Sequence, residues 1–135
     1  MRFFYLFSLV FLLGCSDNAM TKVYEQNLPK NEIPCLNLVI FPPNEAVEKS
    51  FEKLYDFDEA CRFKLLVEVK GGITCNSNEN IQKKAMGSFP SSYINMQLSQ
   101  NSQKIYSYYR DLKDEVGDEE IEDTFFRMRE EINLK

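Results

Sequence analysis

Histidine and tryptophan are both missing from this 135-residue chain. Without histidine, Ser-His-Asp and Cys-His catalysis, His-ligated zinc, HExxH proteolysis and imidazole pH switching are all excluded. Positive charge is in short supply, with 16 Lys and Arg against 21 Asp and Glu. A nucleic-acid binder needs a basic footprint to displace counterions from phosphates, so nucleic acid is not an expected partner. No apolar run reaches the ~18 residues of a membrane-spanning helix. What is there is the composition of a packed globular protein, 44% hydrophobic and 27% charged, at a length that suits one domain.

The longest apolar run, Phe3 to Leu13, follows Met1-Arg2 and is broken only by Ser8. At about 1.5 Å per residue it extends roughly 16 Å, about half a hydrocarbon core. Its length and its positive start are those of a secretory signal peptide. It ends in Leu12-Leu13-Gly14-Cys15, which resembles the lipobox of bacterial lipoproteins. The resemblance implies that residues 1–14 are removed and that Cys15 becomes a diacylglycerol-bearing first residue. The chain is then anchored in a lipid bilayer on the periplasmic face of the cell envelope. Ser16 stands where lipoproteins of enteric type retained in the inner membrane carry Asp. The resemblance therefore favours the outer membrane over the inner.

Residues 15–34 are polar, lack a sustained period and carry Pro29 and Pro34. They are expected to form a flexible tether; 19 such residues reach roughly 24 Å. Residues 35–135 are then a single periplasmic domain. Cys35 to Phe41 reads as a buried strand, and Asn44 as the N-cap of a helix with Val47, Phe51, Leu54 and Tyr55 on one face. Cys61 to Val69 alternates, Lys70-Gly71-Gly72 turns, and Ile73 to Asn76 returns as a hairpin. A short helix is expected within residues 76–86. Ser92 to Leu98 and Lys104 to Leu112 read as strands. Asp118 is the expected N-cap of a last helix, with Ile121, Phe125, Met128 and Ile132 inward. The expected fold class is α+β, an antiparallel sheet of about five strands with two or three helices packed on one face in two layers.

Three cysteines remain after the lipobox, so at most one intrachain disulfide forms from three possible pairs. Hairpin geometry sets Cys75 near the turn and on the opposite face from Cys61, which disfavours that pair. Cys35 and Cys61, at the starts of two strands, are the favoured pair. Burial of all three as small hydrophobes is the alternative. Ser50-Phe51-Glu52-Lys53 resembles the S-x-x-K motif of penicillin-binding enzymes. The chain is too short for that fold and lacks the partner motifs, so a solvated helix face is expected there. The carboxylates from Asp114 to Asp123 lack the order and closing Glu of a calcium loop. No catalytic residue, metal or cofactor is expected.

The charge is lopsided. Residues 111–135 hold 10 acids and 4 bases, and residues 15–110 hold 11 of each. An acidic helix start steers a basic partner, and tyrosines are favoured in interfaces. The candidate partner-binding residues are therefore Tyr106, Tyr108, Glu119, Glu120, Asp123 and Phe126. The expected function is non-enzymatic, a lipid-anchored module that binds another protein. It is similar in general form to small lipoproteins that neutralise antibacterial toxins or lytic enzymes. The alternative is a structural or accessory lipoprotein of an envelope assembly or secretion machine.

Overall fold

Asn44 shows how local chemistry starts the fold. Its backbone is extended and its side-chain oxygen accepts from the Val47 amide at 3.2 Å, so helix α1 (Glu45–Glu52) begins one residue later. Glu45 and Glu48 sit in the first turn, where the helix dipole favours them. Val47 and Phe51 are buried and Leu54 and Tyr55 pack against the core, the apolar face the i, i+4, i+7, i+8 spacing predicts.

The computed structural model describes residues 19–71 and 92–135. The signal segment, Cys15, the expected hairpin return at 73–76 with Cys75, and the expected helix within 76–86 lie outside the described residues. Five strands form one sheet: β1 (Ala19–Val23), β2 (Asn37–Ile40), β3 (Phe63–Lys70), β4 (Ser92–Gln100) and β5 (Gln103–Leu112). Their order is β1-β5-β4-β3-β2. A last helix, α2 (Asp118–Ile132), follows β5.

The class is α+β, but the sheet is mixed rather than antiparallel throughout. Strands β1, β5, β4 and β3 pair antiparallel, whereas β2 runs parallel to β3, with Leu38 opposite Leu65 and Ile40 opposite Val67. The reason is α1. A helix between two neighbouring strands carries the chain back to the end where the first strand began, so the second strand repeats its direction. Val69 takes Ile94 as its antiparallel partner, in the β3–β4 register.

The expected tether is corrected from Ala19 onward. Ala19–Val23 is the edge strand beside β5, and the Tyr24 amide donates to the Ile105 carbonyl at 2.8 Å. Ile33 is fully buried and forms a parallel bridge with Leu134, beyond the end of α2. Without β1, the ten residues of β5 would leave one edge of backbone donors and acceptors unpaired. The segment Ala-Met-Thr-Lys-Val carries no apolar alternation because an edge strand with an exposed face needs none.

Burial along β3 and β4 alternates, and one face joins α1 and α2 in a single core. Phe63, Leu65, Val67, Ile94, Met96, Leu98, Tyr106 and Tyr108 line that face. Against it stand Phe51 of α1 and Phe125 of α2, edge to face at 6.2 Å. The register between β4 and β5 shifts at Leu98/Ser99, where Ile105 is the extra residue. A bulge of this kind lets both Ile105 and Tyr106 be buried in succession.

Candidate functional site

Helix α2 begins where the acidic residues concentrate. Gly117 is its N-cap, one residue earlier than the expected Asp118, and Glu120 reaches back to accept from the Gly117 amide at 2.9 Å. Asp118 is the first helical residue and has a different task. Its carboxylate accepts from Ser50 Oγ and pairs with Lys53 Nζ at 3.4 Å. The Ser50 bond, then Lys53, holds the Asp118 carboxyl below the usual carboxylate range. Ser50 and Lys53, the two fixed positions of the S-x-x-K sequence, thus meet one carboxylate across the α1–α2 junction. Lys53 is solvated as expected, whereas Ser50 is buried at the junction.

Beyond that junction, Glu119, Glu120, Glu122, Asp123, Phe126 and Arg110 border one shallow depression of about 460 Å³. Arg110 comes from β5 and meets Asp123 at 3.1 Å, which ties the helix to the strand beneath it. Phe126 is 42% exposed, on the outer side of a helix whose inner side is filled by Phe125. Phe126 is thus an exposed aromatic in an open depression bordered by four carboxylates and one guanidinium.

Of the six expected partner-binding residues, the structure brings four together here: Glu119, Glu120, Asp123 and Phe126. Tyr106 and Tyr108 are corrected. They are 0% and 1% exposed, opposite Leu98 and Met96 under the helices, and belong to the core. Burial pushes the Tyr106 phenol well above its ordinary pKa, with Glu131 adding to the effect. Alternation alone leaves the choice of face open. In Lys104 to Leu112 both parities carry large side chains, and the bulge at Ile105 blurs the count further.

The tyrosines on the outer sheet face are Tyr93 and Tyr109. Their rings stack at 5.5 Å, and their hydroxyls donate to Glu68 and Asp111, each at 2.7 Å. Burial and then the Asp111 bond push Tyr109 up to about 12. Leu66 and Met20 are exposed on the same face. Alternation puts Tyr109 on the face opposite Tyr106 and Tyr108, but the stack with Tyr93 across β4 and β5 exists only through the Asn95↔Tyr109 register.

Cys35 and Cys61 are joined by a disulfide with a Cα–Cα distance of 5.9 Å. It lies at the starts of β2 and β3, away from the acidic depression. Among the described residues, no group of three His, Cys, Asp or Glu side chains converges as metal ligands would. No helix among the described residues is long and apolar enough to cross a membrane. No protein family, no curated protein and no solved structure matches this chain.

Proposed function

We propose that this protein is a lipid-anchored envelope module that binds a basic protein partner on the outer face of α2. The single observation that carries the reading is the convergence of Glu119, Glu120 and Asp123 around the exposed ring of Phe126. The carboxylates raise the rate of encounter with a positive surface, and Phe126 supplies the desolvated contact that slows release. The action is occlusion: a bound toxin or lytic enzyme is blocked at the envelope without any bond being broken. Cys15 anchors the module in the outer membrane. The accessory reading draws its support from the second exposed surface, since a protein with a Tyr93–Tyr109 face and an acidic helix face can hold two partners of an assembly at once.

The test is an affinity pull-down from envelope extracts with the mature chain and with a Glu119→Lys/Glu120→Lys/Asp123→Lys variant. Capture of one basic protein by the native chain, reduced at least about tenfold by charge reversal and by Phe126→Ala, supports the reading. A deletion strain that becomes sensitive to a toxin or lytic enzyme identifies the inhibitor role. Capture unaffected by either substitution, with no change in sensitivity, sinks it. Capture lost instead on Tyr109→Ala moves the site to the sheet face.

A further inference from the structure

The two faces of the sheet are used differently. Both described helices pack on one face, and the other turns outward with Met20, Lys22, Lys64, Leu66 and Lys104 exposed. The strand registers set its side chains in rows. Lys64, Ser99 and Lys104 follow one another across β3, β4 and β5. Leu66, Gln97, Ser107 and Lys22 form the next row, and Glu68, Asn95, Tyr109 and Met20 the third. At about 4.8 Å between strands, Lys64 and Lys104 stand roughly 10 Å apart at their Cα atoms.

Charge divides this face. The first two rows hold Lys22, Lys64 and Lys104 and no acid, in a chain whose acids outnumber its bases. Arg62 adds to the same end, and with Lys64 it borders a depression of about 270 Å³ at the β4–β5 turn. Among the described residues, none of these bases has a carboxylate partner. Lys22 lies instead over the Tyr24 ring at 4.7 Å. Glu68 and Asp111, farther along the face, accept from the Tyr93 and Tyr109 hydroxyls and so hold both rings in place.

Between the lysines and those rings lies a larger depression of about 370 Å³. Lys22, Lys104, Asn95, Gln97, Ser107 and Tyr109 border it, and no acid is among its described lining. That lining selects a class of ligand. The two ammonium groups attract an anion. Asn95, Gln97 and Ser107 each present a donor and an acceptor, which match hydroxyls. The Tyr109 ring offers a flat apolar surface to C–H groups. A protein interface sets aromatic or aliphatic anchors at its centre. Here the centre is amide and hydroxyl, and the apolar Leu66 and Met20 stand at the margins, on β3 and β1.

We infer that the outer face of the sheet binds an acidic polysaccharide, with its anionic groups on Lys22, Lys64 and Lys104 and its hydroxyls on Asn95, Gln97 and Ser107. Exposed ion pairs are individually weak, so the occupant is a polymer held at several lysines at once rather than a free acidic sugar. This site goes beyond the proposed function and depends neither on the α2 face nor on lipidation.

The test is biolayer interferometry of the full chain in detergent micelles on immobilised hyaluronate and polygalacturonate, with neutral dextran and poly-L-glutamate as controls. At least one acidic polysaccharide should bind and dextran should not. Poly-L-glutamate, which has the charge without the hydroxyls, should bind at least about tenfold more weakly. Lys64→Gln/Lys104→Gln, at two exposed positions, should lower affinity for the polysaccharide about tenfold. Gln97→Ala should lower it about threefold and leave the response to poly-L-glutamate unchanged. Phe126→Ala, on α2, should alter neither. Failure to bind either polysaccharide, equal binding to either control, or native affinity in the lysine or Gln97 variant overturns the inference. None of these outcomes touches the α2 reading, which stands or falls on protein capture through Phe126 and its carboxylates.

Discussion

Breaking the Cys35–Cys61 bond is the perturbation whose size follows most directly from the fold. The bond spans a sequence separation of 26 and closes a loop that holds β2 and α1, ending just before β3. Neighbouring contacts already place the two ends together in the folded state: the Asp58 amide donates to the Leu36 carbonyl at 2.9 Å, and the Cys61 amide donates to Asp58 at 3.0 Å. The bond's main effect is accordingly on the unfolded chain, whose freedom it restricts. Closing a loop of that length removes about 12 cal/mol/K of chain entropy, or about 3.5 kcal/mol at 25 °C. With about 2.1 cal/mol/K of unfolding entropy per residue over a mature chain of about 120, the melting temperature should fall by about 14 °C. The assay is urea denaturation and calorimetry of Cys35→Ala/Cys61→Ala against the native pair. Both chains carry Cys15→Ser for solubility and Cys75→Ser so that no thiol remains to exchange. A loss below about 1 kcal/mol would refute the loop-closure reasoning. A loss well above 5 kcal/mol would refute it from the other side, because the bond would then be holding native packing together.

Three further outcomes are expected. Tyr108→Phe and Thr124→Val each remove a buried hydroxyl that has no hydrogen-bond partner among the described residues, so unfolding free energy from denaturant titration should stay level or rise by up to about 1 kcal/mol; a clear loss would show that the hydroxyls are satisfied. Tyr109 keeps its proton to about pH 12, above the ordinary 10.0 of the unfolded chain. Its contribution to stability is complete below pH 10 and is lost as pH climbs toward 12. Spectrophotometric titration at 295 nm should show late ionisation, to which Tyr106 also contributes, with an amplitude that Tyr109→Phe lowers by one tyrosine; a single step shared by all tyrosines would contradict this. The depressed pKa of Asp118 has the opposite sign: its stabilisation is present above the ordinary carboxylate value and disappears on acidification through the lowered one. Asp118→Asn should therefore flatten the acid limb of the stability profile, and an unchanged limb would mean that the Ser50–Asp118–Lys53 clip contributes nothing.

Both described helices were legible from their apolar stripes, a local signal; the capping residue was read correctly for α1, whereas α2 is capped by Gly117 and not by the expected Asp118. Asn44 caps α1 as its residue type predicts, and Ile121, Phe125, Met128 and Ile132 all face inward from α2. Strands β3 and β4 were equally plain, since one parity is apolar and the other polar. The acidic face around Phe126 was partly legible, because the i, i+3, i+4 neighbours of a helix are fixed once its inner face is known.

The amino-acid order alone determined the lipobox resemblance, the cap of α1, the apolar helix faces and the concentration of negative charge toward the C-terminus. Each of these depends on residues within a few positions of one another. Tertiary structure decided the rest. The direction of β2, the burial of Tyr106 and Tyr108, the Tyr93–Tyr109 stack and the capture of Ala19–Val23 at the edge of β5 all depend on which strand lies beside which. Pairing is a choice among distant segments, settled by the free energy of the whole sheet and its core.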